Sequence, residues 1–315
     1  MTTKEKVLEK LLCTTEFISG EELAKELNIS RAAIWKAIKS LQKDGYKIEG
    51  VTNSGYRFVV DNKVVTVPAV KKALNYDIEV MHFDTIDSTN TYCKRLLADG
   101  KQGEFLVTAD YQTAGRGRQG KSFYSPDETG VYFSLVVRPD TTLQNAVTAT
   151  TATAVAVCKA IEKLTPRKPK IKWVNDVYLD GKKICGILTE AVTNFETGIV
   201  DSVIIGIGIN VNTSAFPSDV KNAGCLDYDV NRSKLIAETV NQIMNYINGD
   251  KAQFMNYYRE HSLVLGEKVR FYENGTTNVG IAKSIDSDGG LEVVLQNGET
   301  RMLRSGEISL RKYEE

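Results

Sequence analysis

The chain is poor in the residues that metal sites and hydrolases depend on. It has only two histidines, His82 and His261, and neither sits beside another soft ligand. Its five cysteines, Cys13, Cys93, Cys158, Cys185 and Cys225, are scattered, with no CxxC clip and no zinc-finger spacing. Structural zinc is therefore not expected, no residue is assigned as a metal ligand, and both histidines read as ordinary surface or half-buried residues. Long apolar runs are missing too. No stretch approaches about eighteen uninterrupted apolar residues, so no membrane span and no membrane partner are expected. The start, MTTKEKVLEK, lacks the apolar segment of a secretory signal. Net charge is absent, with 40 Lys and Arg against 40 Asp and Glu. That balance excludes a polyanionic tail or a wholesale nucleic-acid coat and leaves room for a local basic patch. A reduced, cytoplasmic, soluble protein is the expectation.

Proline is missing before Pro68, and the texture changes there. Residues 4–14 place Val7, Leu8, Leu11 and Leu12 at helical spacing. Ser19 followed by Glu22 predicts a capped second helix. Asn28-Ile29-Ser30 interrupts, and Ser30 opens a third helix carrying Ile34, Ile38 and Leu41, ended by Gly45. Tyr46/Ile48 and Tyr56/Phe58, joined through Asn53-Ser54-Gly55, predict a hairpin. Residues 61–68 (DNKVVTVP) read as a connector.

A larger region then runs to about residue 262. Strands are predicted over 105–109, 131–137, 170–174, 184–189 and 203–211, and helices over 88–98, 144–164 and 233–248. Asp180-Gly181 reads as a tight hairpin turn. Strands joined by hairpins as well as helices predict an α+β fold, not a regular parallel sheet. Beyond 263, runs at 268–272, 278–284, 291–295 and 300–304, separated by Asn274-Gly275, Asp288-Gly289-Gly290 and Asn297-Gly298, predict a small β-barrel or sandwich.

Two segments carry chemistry. The third helix, SRAAIWKAIKSLQK, bears Arg31, Lys36, Lys39 and Lys43 and no acid. Helix, helix, short turn, basic helix and hairpin is the order of a winged helix-turn-helix, whose basic helix enters the major groove. Ser30, Arg31, Ala32, Trp35, Lys36 and Lys39 form the candidate DNA-binding set, although the Trp35 ring is expected to pack beside Ile34 and Ile38. Lys47 and Arg57, near the hairpin ends, are candidate wing contacts to the phosphate backbone. A solvated basic face on a small interaction domain is the competing reading.

The second segment, GRGRQGKS at 115–122, fits both a Walker A loop and a dinucleotide fingerprint. Both motifs need a helix directly after the glycines so that its N-terminus faces the phosphates. The residues that follow, SFYSPDETG, contain Pro126 and Gly130, so both matches are rejected. Three glycines with Arg116 and Arg118 instead predict an anion-holding loop.

DSTN (Asp87–Asn90), YQTAGRGRQGK (Tyr111–Lys121), KWVND (Lys172–Asp176), GKKICGILTE (Gly181–Glu190) and GIGINV (Gly206–Val211) follow in this order. Together they resemble the biotin–protein ligases, and the N-terminal unit makes the chain similar to the bifunctional members that also repress biotin genes. Two departures are Val174, where the family has proline, and Phe123, where members often have tryptophan. The resemblance implies a winged helix-turn-helix domain over 1–62, a mixed α/β ligase domain over 63–262 and a small SH3-like β-barrel over 263–315.

The resemblance also implies the chemistry: biotin and ATP give biotinyl-5′-AMP, and a lysine of the biotin carboxyl carrier protein of acetyl-CoA carboxylase, or of a similar carboxylase, takes the biotin. Mg2+ accompanies the triphosphate. Lys183 and Arg118 are the implied catalytic residues. Biotin falls to Ser88, Thr89, Asn90, Gln112, Arg116, Gly117, Arg118, Lys183 and Gly186. The nucleotide falls to Gly115, Arg116, Arg118, Phe123, Lys172, Asn175 and Asn210, with Asp176 a further candidate contact. Strand alternation lets only one of Lys182 and Lys183 face the pocket, and the resemblance chooses Lys183. Biotinyl-adenylate is the implied corepressor, driving a homodimer onto operator DNA. A ligand sensor without catalysis, a lipoate-type ligase and a P-loop NTPase are the alternatives.

Overall fold

The computed structural model describes residues 2–43, 46–59, 61–138, 146–193, 200–220, 222–247, 249–273, 275–304 and 308–310. Local capping sets the first three helices. Helix α1 (Thr3–Leu12) opens on a full capping box, with the Thr2 hydroxyl accepting from the Glu5 amide and the Glu5 carboxylate from the Thr2 amide. Helix α2 (Gly20–Leu27) starts under Ser19 and stops at Asn28, whose φ of 52° breaks the helix in the left-handed region. Helix α3 (Arg31–Lys43) starts at Ser30, whose hydroxyl accepts from the Ala33 amide at 3.2 Å. Its buried stripe is Ile34, Ala37, Ile38 and Leu41, the spacing of one helical face. With Val7, Leu8, Leu11, Leu23 and Ile48 these side chains form a separate small core. The hairpin β1 (Ile48–Val51) and β2 (Gly55–Phe58) completes the unit. The predicted stop at Gly45 lies outside the described residues.

The expected connector is docked in place. Helix α4 (Val67–Ala73) begins inside it, capped by Thr66 and with Pro68 in its first turn, where a missing N–H costs nothing. Val65 is buried, and the Thr66 amide donates to Ser233 Oγ.

The centre is a seven-stranded sheet in the order β3 (Glu79–Ile86), β4 (Phe105–Gln112), β5 (Gly130–Val137), β9 (Val200–Asn210), β8 (Lys182–Thr193), β7 (Asp176–Leu179) and β6 (Lys170–Lys172). Only β3 and β4 run parallel; the other pairs are antiparallel. Helix α5 (Thr89–Ala98) covers one face through Cys93, which meets Phe105, Val107, Val136 and Ile204. Helices α6 (Ala146–Leu164), α7 (Arg232–Ile247) and α8 (Ala252–Glu260) pack into the larger core on the other face. Among the described residues no helix is long and apolar enough to cross a membrane.

Strands β10 (Lys268–Glu273), β11 (Thr276–Ile285), β12 (Leu291–Leu295), β13 (Thr300–Leu303) and β14 (Ile308–Leu310) make one antiparallel sheet, ordered β13-β12-β11-β10-β14. No pairing of β13 with β14 closes it among the described residues, so the expected barrel is an open β-rich unit here. Its inward residues Val269, Phe271, Ala282, Ile285, Leu291, Val293 and Leu303 belong to the same core as α6–α8. Asn274, one of the predicted turn residues, lies outside the described residues.

Candidate active site

A cleft forms where the end of β3, the start of α5, the loop after β4 and the middle of β8 and β9 meet. It is lined by Ser88, Thr89, Asn90, Gln112, Arg116, Gly117, Arg118, Phe123, Asn175, Lys183, Gly186, Ile187, Leu188, Gly206, Ile207 and Gly208. All nine implied biotin residues are on that wall. Ser88 is also the N-cap of α5, so its structural and site roles coincide.

Hydrogen bonds fix the wall before any ligand arrives. The Thr89 amide donates to Gln112 Oε1 at 2.9 Å, Gln112 Nε2 donates to Ser125 Oγ at 2.9 Å, and Ser125 Oγ donates to the Phe123 carbonyl at 3.0 Å. The start of α5 is thereby tied to the loop. Asn90 Nδ2 donates to Glu190 at 3.0 Å and to the Leu188 carbonyl at 3.3 Å, which sets the amide's orientation. Its Oδ1 lies 2.6 Å from Ser134 Oγ, which also lies 2.7 Å from Thr89 Oγ1. An amide oxygen can only accept, so the Ser134 proton goes to Asn90.

Ser134, Ser125 and Glu190 back this wall through hydrogen bonds to Asn90, Thr89 and Gln112, and the sequence reading missed them. Ser134 stands in an apolar strand, GVYFSLVV, buried at every position. A polar residue in such a run needs a partner, and that was the available signal. Glu190 lies within a quoted motif but had no role assigned.

Three cations line the cleft, each with an oxygen partner. Arg116 is paired with the Glu190 carboxylate at 3.1 Å through both terminal nitrogens, and Lys94 meets the same carboxylate at 2.8 Å. Burial alone would lift the Glu190 carboxyl, but hydrogen bonds from Lys94 and Asn90, with the charges of Lys94 and Arg116, hold it below its usual 4.5. Arg118 donates to Asn175 Oδ1 at 3.0 Å. Lys183 Nζ lies 2.6 Å from Asp176 Oδ1. That oxygen is buried and receives no well-directed hydrogen bond, so the pair is one of charge and proximity. Burial pushes the Cys93 thiol up to about 12 and lifts Cys185 further, so neither supplies a thiolate.

The loop itself closes as a hairpin, with the Phe123 amide donating to the Gly115 carbonyl and Arg116 bridging Ser122. The loop holds a single 3₁₀ turn, Arg118–Gly120, and no helix follows Gly120 directly, which bears out the rejection of both phosphate-loop motifs. Gly115 is used by the loop: a Cβ there would overlap the Phe123 carbonyl. Gly206 and Gly208 form the floor, where a Cβ would strike the Asn90 amide or the Phe123 ring. Phe123 lies over Gly208 and Gly186 and meets Tyr132 edge-on at 6.4 Å.

Of the implied nucleotide set, Arg116, Arg118, Phe123 and Asn175 line the cleft, whereas Gly115, Lys172 and Asn210 do not. Lys172 sits over the Tyr178 ring at 5.6 Å. Asn210 is buried, donates to the Gly224 carbonyl and keeps Oδ1 without a partner. The Trp173–Val174 peptide is cis, at the position where the family has proline. His82 is half-buried, as expected, and meets Thr108 Oγ1 at 2.8 Å and Asp110 at 3.2 Å, beside Asp84.

In the N-terminal unit Ser30, Arg31, Ala32, Trp35, Lys36 and Lys39 all lie on the exposed side of α3. Trp35 is 54% exposed, so its expected packing does not occur: it points away from the Ile34–Ile38 stripe. The expected wing cations are engaged internally. Lys47 pairs with Asp61 at 2.8 Å, and Arg57 pairs with Glu49 at 2.6 Å while lying over Phe17.

Three family models match successive parts of the chain. Residues 3–57 match an HTH domain, 82–210 the biotin/lipoate A/B protein ligase family, and 264–311 the biotin protein ligase C terminal domain. The chain is 33% identical over 310 residues to the bifunctional ligase/repressor BirA of Bacillus spizizenii, covering 94% of each chain. It is 29% identical to BirA of Escherichia coli, covering 96% of each. Among solved structures, the biotin protein ligase from Aquifex aeolicus in complex with biotin and ATP superposes with a TM-score of 0.64 at 28% identity, covering 75% of this chain and 99% of that one. With the cleft, the arginine loop and the helix-turn-helix in one polypeptide, the chain belongs to the family of bifunctional biotin–protein ligases and biotin operon repressors.

Proposed function

We propose that this chain activates biotin with ATP, transfers it to a carrier-protein lysine, and represses biotin genes when the activated biotin is not consumed. The carrying observation is the convergence of Arg116, Arg118 and Lys183 on one cleft whose floor is glycine. A carboxylate oxygen of biotin attacks the α-phosphorus of ATP, the bond to the β-phosphate breaks, and pyrophosphate leaves. The carrier lysine amine then attacks the acyl carbon of biotinyl-5′-AMP, and AMP leaves as the amide forms. The first step brings an anion to an anion, so catalysis is charge neutralisation and positioning. Lys183 and Arg118 act on the reacting carboxylate and phosphoryl oxygens. Ser88, Thr89, Asn90 and Gln112 orient biotin's polar end, Gly117 and Gly186 admit the ligand, and Phe123 stacks on the base.

Asn210 keeps a buried oxygen without a hydrogen-bond partner, and Asp176 Oδ1 meets only the Lys183 ammonium; both are hard donors of the kind that would suit Mg2+. Bound with the triphosphate, the ion neutralises phosphate charge. The exposed basic face of α3 is the element that enters operator DNA, and adenylate-bound chains pair to present two such helices. We place the functional units at 1–62, 63–262 and 263–315, the last closing as an SH3-like barrel, in a cytoplasmic protein.

Biotin-dependent ATP–pyrophosphate exchange tests the reading. Exchange should require biotin and fall by about 10²–10³ in Lys183→Ala, as on removing a group that stabilises transition-state charge. Tight biotin binding without exchange would reduce the protein to a ligand-gated repressor.

A further inference from the structure

Arg232, the first residue of α7, is 2% exposed. Burial of so polar a group pushes its pKa below the ordinary arginine value. A buried guanidinium is costly unless its donors are used, and the two elements it bonds are far apart in sequence. One terminal nitrogen donates to the Lys63 carbonyl at 3.0 Å, and the other to the Glu128 carbonyl. The first acceptor belongs to the tie between the N-terminal hairpin and α4; the second belongs to the turn that follows the arginine loop of the cleft.

Each end is anchored onward. At the tie, the Arg232 amide donates to the Asn62 carbonyl at 3.0 Å, and Asn62 Nδ2 donates to Asp229 at 3.1 Å. Asp61, next along, pairs with Lys47 at the foot of β1, and the Val59 amide donates to the Lys47 carbonyl at 2.8 Å. At the turn, Glu128 is in the left-handed region at φ 57°. The Tyr132 hydroxyl donates to the Pro126 carbonyl at 3.0 Å, and the Tyr132 ring meets Phe123, which lines the cleft.

We propose that Arg232 is a positioning residue that locks the turn behind the ligand loop to the tie carrying the DNA-binding unit, so that cleft occupancy sets the placement of that unit. The planar fork fixes the two carbonyls relative to each other. Releasing either strands a buried donor, so a ligand-driven shift at Phe123–Glu128 is passed to Asp61–Val64 instead of dissipating. This inference rests on the ligase/repressor reading above.

The test uses the full chain and a DNA duplex selected by the wild type from a random library in the presence of biotin and ATP. In the wild type, biotin with ATP should tighten that duplex by at least about tenfold. In Arg232→Lys, which keeps the charge and loses the fork, that ratio should fall to within about twofold of unity while biotin-dependent exchange persists. An Arg232→Lys chain that keeps the wild-type ratio overturns the proposal. A wild type without biotin-dependent exchange or without ligand-dependent DNA binding sinks the underlying reading instead. Should Arg232→Lys melt at the assay temperature, the surface pair Asn62→Ala with Asp229→Ala loosens the same tie; it should reduce the ratio, and an unchanged ratio in that folded variant also overturns the proposal.

Discussion

Glu190 organises the cation side of the cleft. It holds Arg116 and Lys94 by charge and Asn90 by hydrogen bond, so one carboxylate sets residues from α5, the arginine loop and β8 together. Its pKa is depressed in the folded chain. A depressed carboxylate contributes stability above its unfolded value, near about 4.3, and that contribution is lost as pH falls through the folded value. The neutral isostere Glu190→Gln has no such loss. Thermal midpoints measured from pH 6 to pH 3 should therefore show the wild type declining more steeply than Glu190→Gln below about pH 4.3. Parallel profiles would mean that the carboxylate contributes nothing beyond its hydrogen bond. At this scale the sequence was informative about residues in short motifs. Lys183, Arg116, Arg118, Ser88, Thr89 and Asn90 all line the cleft. Ser134 offered only the signal of a serine in an apolar run and Ser125 offered none, because a single serine has no spacing signature and their partners lie 44 and 13 positions away.

The recognition helix was legible as an element because two periodicities agree. Its apolar stripe repeats at helical spacing and its cations fall between the apolar positions, leaving Lys36 and Lys39 on the exposed side. The prediction for Lys36 is a phosphate contact, which positions the helix without reading sequence. Lys36→Ala should weaken binding by a similar factor across DNA sequences and reduce the slope of log K against log salt by about 0.9, one phosphate contact. An unchanged slope in a titration over several salt concentrations would remove Lys36 from the interface. At the wing, the ion pairs of Lys47 with Asp61 and Arg57 with Glu49 were not legible, because these partners lie cross-strand or beyond, where sequence distance gives no hint. Among the elements missed outright, α8 has nine residues, α4 has seven inside a segment whose Pro68 reads as a linker, and β3 has eight in which Glu79, His82 and Asp84 interrupt the apolar positions. Runs this short have too few repeats for either period to stand out.

At the scale of the whole molecule, the C-terminal unit supports the cleft. The buried Trp173 indole of KWVND donates to the Gly289 carbonyl, in the turn before β12, at 2.8 Å. Arg259 of α8 donates to the Ile285 carbonyl at 2.8 Å, and Tyr258 donates to the Val174 carbonyl at 3.1 Å. The segment carrying Asn175 and Asp176 is thus fixed by α8 and by the far sheet, a long-range dependence that no local pattern encodes. Domain boundaries drawn along the sequence imply separable parts, yet the inward side of the β10–β14 sheet shares one core with α6–α8. Trp173→Phe conserves most of the ring volume and leaves the buried Gly289 carbonyl without its donor, a cost of about 1–3 kcal/mol. Because one core spans both units, the loss should appear as a single lowered melting transition, with the exchange reaction weakened in its nucleotide KM more than in its turnover. A variant that melts in two steps, or that binds nucleotide as tightly as the wild type, would show that the C-terminal sheet is an appendage and that Asn175 and Asp176 hold their places without it.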